Sequence, residues 1–159
     1  MATKPYSFMD IFNELFETEG DRVALKKIVI PIIQRDYAQG RKNAEVNRVR
    51  KRFLQSLYTA ITETPITLDF VYGDIDKNGD MTPLDGQQRL TTLFLLHWYA
   101  AKKEKISEKE SSFLRNFSYE TRYSSRYFCT ELLNFQPSFE TDISKDIINQ
   151  AWFPLDWKK

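Results

Sequence analysis

Apolar residues Phe8, Ile11, Phe12, Leu15 and Phe16 recur at the i, i+3, i+4, i+7 and i+8 spacing of one helical face. Ser7 stands at the N-cap position and Gly20 where such a helix would stop, so the pattern predicts a helix over these residues. Residues 26 to 30, with Ile28, Val29 and Ile30 ahead of Pro31, predict a short strand. A second helix is expected from about Asn43 to Ile61, where Val46, Val49, Phe53, Leu54, Leu57, Tyr58 and Ile61 form one stripe. After Pro65, the alternation of Ile66, Leu68, Phe70 and Tyr72 predicts a strand with one buried face, and its return strand falls near residues 81 to 84. Between them Asn78-Gly79 is a hairpin-turn signal.

The chain is organised around residues 84 to 96. Here the polar cluster Asp85-Gly86-Gln87-Gln88-Arg89 runs directly into Leu90-Thr91-Thr92-Leu93-Phe94-Leu95-Leu96. A helix that is apolar on nearly every side is buried, and its first turn then carries unpaired N–H groups and a partial positive charge into the protein. Asp85 at the N-cap, Gly86 permitting close approach to the backbone, and Arg89 as a permanent cation together suit an anion such as phosphate. The alternative is structural: Asp85 caps the helix, and Gln87, Gln88 and Arg89 tie neighbouring loops together.

Beyond that helix, Ser107 with Glu110 reads as a capping box for a helix through Phe117, and an aromatic-rich helix follows from about Ser125 to Asn134. The resulting fold class is α+β, a small mixed sheet with several helices around it and one buried central helix. No repeat and no Pro-, Gly- or Ser-rich linker divides residues 1 to 159, so one domain is expected. The apolar tail with Ile147, Ile148, Trp152, Phe153 and Trp157 stops at Lys159, which suggests a polypeptide that continues further.

Composition narrows the chemistry. The 159 residues carry 23 basic and 22 acidic side chains, so no whole-molecule field drives the protein onto nucleic acid or membrane, and any such contact is a local patch. The single cysteine, Cys129, excludes an internal disulfide, and one histidine, His97, leaves too few soft ligands for zinc. Cys129 reads as inert packing and His97 as a packed histidine two turns beyond Arg89. The start lacks a signal peptide and the longest apolar run, around residues 93 to 101, is too short for a bilayer. A soluble, cytoplasmic protein is expected.

Three further clusters invite functional readings. Residues 74 to 80 match the first half of a calcium-loop pattern, with Asp85 at the twelfth place, but strand-like flanks and Asn78-Gly79 favour a plain hairpin. Gln34, Arg35, Asp36, Tyr37, Gln39, Gly40 and Arg41 crowd a loop that is either ordinary surface or a binding loop. Arg48, Arg50, Lys51 and Arg52 form a basic patch on the second helix, a solvated face or a contact for nucleic-acid phosphates.

Ile30-Pro31-Ile32-Ile33-Gln34-Arg35-Asp36-Tyr37 and Leu84-Asp85-Gly86-Gln87-Gln88-Arg89-Leu90-Thr91-Thr92-Leu93 resemble the family known as domain of unknown function 262, the N-terminal domain of GmrSD-type modification-dependent restriction proteins. The likeness runs on through Tyr119-Glu120-Thr121-Arg122 to Trp152-Phe153. It implies a ParB-like or sulfiredoxin-like fold that binds and hydrolyses a nucleotide within an anti-phage defence protein. Members often carry a separate HNH-type nuclease domain, which a chain with one histidine cannot contain. In the related domains a G-x-x-R sequence opens a helix at the nucleotide phosphates, and Gly86 and Arg89 match it. The sulfiredoxin cysteine is missing from this turn, which argues against sulfinic-acid reduction.

The resemblance therefore implies a nucleoside triphosphate, GTP, ATP or CTP, with Mg²⁺, lying between the Gln34 to Tyr37 loop and the Gly86 to Arg89 turn. Arg35, Tyr37, Gly86, Gln87 and Arg122 are the expected binding residues. Asp85, Gln88, Arg89 and Gln34 are the expected catalytic ones, with Asp85 on Mg²⁺ or water, Gln34 or Gln88 positioning the attacking water, and Arg89 on phosphate. Two rivals remain open: a DNA-binding or sensor module using Arg35, Arg41, Arg48, Arg50 and Arg52, and an assembly module or homo-oligomer joined through the apolar tail.

Overall fold

The computed structural model describes residues 4–18, 20–31, 43–120 and 123–158. The protein is α+β, with strands β1 (Leu15–Thr18), β2 (Asp21–Ala24) and β3 (Lys27–Ile30), helix α1 (Ala44–Thr62), strands β4 (Tyr72–Ile75) and β5 (Asp80–Asp85), and helix α2 (Gln87–Lys103). Strand β6 (Phe117–Tyr119) and helices α3 (Tyr123–Asn134) and α4 (Ile143–Ile148) complete it. Strands β1 and β2 form an antiparallel hairpin of their own. The other four make one mixed sheet in the order β4-β5-β3-β6, with β4 antiparallel to β5 and both β5 and β6 parallel to β3.

The first expected helix does not form. Ser7 does accept a bond from the Asp10 N–H at 3.0 Å, and Ile11 bonds back to Ser7, but the chain then turns through Asn13 at φ 72°. Asn13 and Glu14 bond to Leu25 instead of continuing a helical ladder, and the next four residues enter β1. Phe8 and Phe12 satisfy their burial with a single turn, packing edge-on to one another at 5.9 Å, and Gly20, at φ +100°, serves the β1–β2 turn rather than a helix end. A two-strand ladder has overridden a helical period that is real but short.

Two other expectations are corrected in part. The strand expected from Ile66 begins only at Tyr72, and a register shift at Tyr72/Gly73 lies opposite Pro83, which has no N–H to give a ladder. The Ser107–Glu110 capping box is present, with the Glu110 N–H donating to Ser107 Oγ at 3.3 Å and the Ser107 N–H to Glu110 Oε2 at 3.3 Å. It opens only turns and a 3₁₀ segment, Ser112–Asn116, because Phe117 is drawn into β6 beside β3.

The core lies around α2. Phe94, 1% exposed, stacks on Phe117 with centroids 4.6 Å apart, while Leu25, Ile28, Leu90, Leu114 and Leu132 fill the space about them. Trp98 donates its indole N–H to the Leu132 carbonyl at 2.7 Å, joining α2 to α3. His97 packs between Phe8 and Phe113 and its Nδ1 meets the Leu93 carbonyl at 2.8 Å. Cys129 is buried, and desolvation pushes its thiol up to about 12, so the thiolate needed for reactivity is suppressed.

Helix α1 forms as expected, with Asn43 accepting the Val46 N–H at 2.7 Å as its cap. Its stripe is only partly covered: Leu57 is buried, whereas Tyr58 and Ile61 are exposed. Residues 76 to 80 form the hairpin turn, in which Asp76 Oδ1 accepts the N–H groups of Asn78 and Asp80. Those bonds hold the Asp76 carboxyl below the ordinary carboxylate range, with the Asp80 bond the largest cause. No helix among the described residues is long and apolar enough to cross a membrane.

Candidate functional site

Strands β3, β5 and β6 run parallel, so the chain leaves the sheet at the same edge after Ile30, after Asp85 and after Tyr119. The Glu120 N–H donates to the Ile30 carbonyl at 2.9 Å just beyond the paired segments. In parallel sheets, the carboxyl ends of the strands are where ligands are received. In sequence, the Gln34 to Arg41 cluster follows β3, the Gly86 to Arg89 turn follows β5 and Glu120 to Arg122 follow β6. Gln34, Arg35, Tyr37 and Arg122 lie outside the described residues, and so does Arg41.

The Asp85 to Arg89 cluster is described in full, and its cap differs from expectation. The N-cap of α2 is Gly86, at φ 88°, and among the described residues no side chain caps the helix. Asp85 does not cap because its carboxylate turns instead to Arg89, one turn along, at 3.4 Å. A Cβ at Gly86 would meet Val71 Cγ2 at 2.9 Å, so both its left-handed backbone and the neighbouring valine call for glycine there. Gln87 is also occupied structurally, donating from Nε2 to the Pro83 carbonyl at 2.8 Å.

The Leu90 N–H bonds to the Gly86 carbonyl, but among the described residues the N–H groups of Gln87, Gln88 and Arg89 find no acceptor. Thr91 and Thr92 return their hydroxyls to the carbonyls of Gln87 and Gln88, which fixes the first turn without covering its N–H groups. Thr91 Oγ1 also lies 3.1 Å from the Tyr119 hydroxyl, which ties this turn to the end of β6.

Arg89 is clamped at the same place. Its Nη2 donates to the Phe70 carbonyl at 3.0 Å, and its two terminal nitrogens lie 3.5 Å from Asp69 and 3.4 Å from Asp85. The guanidinium side chain is 23% exposed, while the Asp69 and Asp85 side chains are 89% and 72% exposed. Solvated carboxylates at such distances contribute on the order of 0–1 kcal/mol, so neither pair holds Arg89 strongly. Among the described residues, the buried Gln88 Oε1 and Arg89 Nε have no hydrogen-bond partner.

Asp69 and the Phe70 carbonyl are parts of this site that sequence reasoning did not reach. They lie 20 and 19 residues from Arg89, and the alternation of residues 66 to 72 points to the Phe70 side chain, not to its carbonyl. Tyr119 falls in the family-like stretch Tyr119-Glu120-Thr121-Arg122, but its link to Thr91 depends on β6, which no period in the sequence reveals.

The protein is thus an α+β domain in which a buried helix, with Arg89 paired in its first turn, starts at the carboxyl edge of parallel strands. Residues 12–153 match the family model described as the N-terminal domain of the GmrSD restriction endonuclease, and the chain belongs to that family. This membership makes it a component of a restriction-related protein. Neither the curated proteins nor the solved structures compared give a match.

Proposed function

We propose that this protein binds the phosphates of a nucleoside triphosphate at the start of α2 and hydrolyses the terminal one, as the nucleotide-responsive part of a restriction protein. The observation that carries the reading is the first turn of α2, where among the described residues the N–H groups of Gln87, Gln88 and Arg89 find no acceptor. Helix N-termini present donors and positive potential to phosphate, and a guanidinium adds a two-point contact. On this reading Arg89 exchanges Asp69 and Asp85 for phosphate oxygens, and the partnerless Gln88 carbonyl oxygen accepts from and positions a water.

The two freed carboxylates suit Mg²⁺, which takes one or two carboxylates and fills its remaining places with water and phosphate oxygens. The metal would neutralise charge on the phosphate chain. Asp69 and Asp85 would hold it, while the chain's own contribution is to fix the phosphates at α2 and orient water through Gln88. Gln34, Arg35, Tyr37 and Arg122, outside the described residues, are the further candidates for contacting the nucleotide, and any contact with DNA would belong to the wider protein.

The test is phosphate release from GTP, ATP and CTP by the protein, compared with Arg89→Ala and Asp85→Ala. Loss of turnover in both variants, with circular dichroism unchanged, supports the reading. Full turnover in two folded variants removes these residues from the mechanism.

A further inference from the structure

The opposite end of α2 carries a second feature that the phosphate reading does not use. A cleft of about 200 Å³ opens there, floored by Trp98, Leu114 and Leu133 and rimmed by Lys102, Lys105 and Arg115. Its rim also includes Glu108, which lies 3.8 Å from Arg115. Among the described residues neither Lys102 nor Lys105 has a carboxylate within ion-pair distance. The cleft thus gathers three cations, Lys102, Lys105 and Arg115, against one carboxylate, Glu108, beside apolar side chains.

Cations at a helix C-terminus are favoured by the backbone dipole, and that alone accounts for Lys103, which lies over the Tyr99 ring. It does not account for Lys105. The end of α2 is a Schellman motif, in which the Ile106 N–H bonds to the Ala101 carbonyl at 2.9 Å and the Lys105 N–H to the Lys102 carbonyl at 3.3 Å. Lys105 occupies the left-handed position of that motif, at φ 54°, where glycine is the residue usually found. A lysine there carries a backbone penalty that glycine would not. Lys102, for its part, has its pKa lowered, chiefly by partial desolvation and further by Arg115, and the Glu108 carboxylate offsets this only in part.

We propose that this cleft is a binding site for a small organic anion with an apolar body, a phosphate monoester or a carboxylate, whose charge is taken by Lys102, Lys105 and Arg115 and whose body rests on Trp98 and Leu133. A partly desolvated cation such as Lys102 gains from an anion, and Trp98 and Leu133 supply apolar lining beside it. The strained Lys105 is then retained for its charge, at some cost to the stability of the helix end.

The experiment is a titration with phenyl phosphate, benzoate and the uncharged benzyl alcohol, followed by ¹H–¹⁵N correlation spectra and by calorimetry. Saturable shifts of the Trp98 indole N–H and of amides between residues 101 and 115, given by phenyl phosphate or benzoate and absent with benzyl alcohol, are expected. The stronger of the two anions identifies the charged group preferred. Lys105→Gly should raise Tm and yet weaken anion binding about fivefold or more, the loss of roughly one charge-assisted contact. Lys102→Met should weaken it similarly, and Arg89→Ala should leave it intact, which separates this site from the one at the start of α2. Equal binding of benzyl alcohol, undiminished affinity in Lys105→Gly, or shifts confined to residues 87 to 89 would overturn the proposal.

Discussion

Thr91 Oγ1 on α2 and the Tyr119 hydroxyl on β6 lie 3.1 Å apart, and this contact fastens the first turns of the central helix to the edge of the sheet where three parallel strands end. Thr91 keeps its bond to the Gln87 carbonyl in any case, so Tyr119→Phe strands no buried group at Thr91. The expected loss is about 0.5–1.5 kcal/mol, the net worth of one neutral hydrogen bond, measured by urea denaturation. A loss several times larger would mean that Tyr119 supports more than this turn.

Gly86 and Gly20 allow the strain of a left-handed backbone to be separated from a steric clash. Both have positive φ, but a Cβ at Gly20 meets nothing within 4 Å, whereas at Gly86 it meets Val71 at 2.9 Å. Gly20→Ala should therefore cost only the conformational term, about 1–2 kcal/mol. Gly86→Ala should cost about 2–4 kcal/mol, since Val71 must also give way. Calorimetric Tm values of the two variants check the order, and equal effects would refute the packing role assigned to Val71.

The hairpin between β4 and β5 should respond to pH through Asp76. Its folded pKa lies below the ordinary value because the carboxylate accepts the N–H groups of Asp80 and Asn78. A depressed folded pKa stabilises the protein above the unfolded value, and that contribution disappears as pH falls through the folded one. Asp76→Ala should accordingly lower Tm at neutral pH, with the gap from the parent narrowing as acid protonates the parent's carboxyl. Tm measured from neutral to strongly acidic pH tests the sign, and a gap that widens on acidification would contradict it.

Asp69 and Asp85 have opposite expected effects with and without Mg²⁺. Without the metal they compete with phosphate for Arg89, so replacing both by Asn should tighten nucleotide binding by about three- to tenfold, the worth of two exposed ion pairs. With Mg²⁺ the same double variant should bind more weakly than the parent, having lost the metal's ligands. Fluorescence titrations of a labelled nucleotide with EDTA or Mg²⁺ distinguish the two effects, and a double variant indifferent to both would remove these carboxylates from the site.

The sequence made α1, the β4–β5 turn, β5 and α3 legible because each combines a sustained period with a chemical stop or cap, such as Asn43 or Gly79. It misled at residues 8 to 16, where a helical period five residues strong yielded to the pairing of Asn13 and Glu14 with Leu25. The same holds at Phe117, whose place in β6 comes from a parallel partner, β3, more than eighty residues earlier. Long-range pairing of short strands leaves no local trace. At the candidate site, the polar turn from Asp85 to Arg89 that opens a buried helix was legible, since a polar cluster ahead of an apolar run is a local feature. The roles within it were not: Asp85 pairs with Arg89 rather than capping, Gly86 makes room for Val71, and Asp69 reaches Arg89 from a segment without regular structure.

Titrating ¹⁵N-labelled protein with GTP, ATP or CTP, each with Mg²⁺, and following the backbone amides of Gln87, Gln88 and Arg89 tests the phosphate reading most directly. Hydrogen bonding to phosphate should move these three signals downfield in a saturable way with at least one nucleotide, and Arg89→Ala should weaken that binding at least about tenfold, as loss of a charge-assisted two-point contact requires. Signals that stay fixed at millimolar nucleotide, or that move alike in the Arg89→Ala variant, would contradict it.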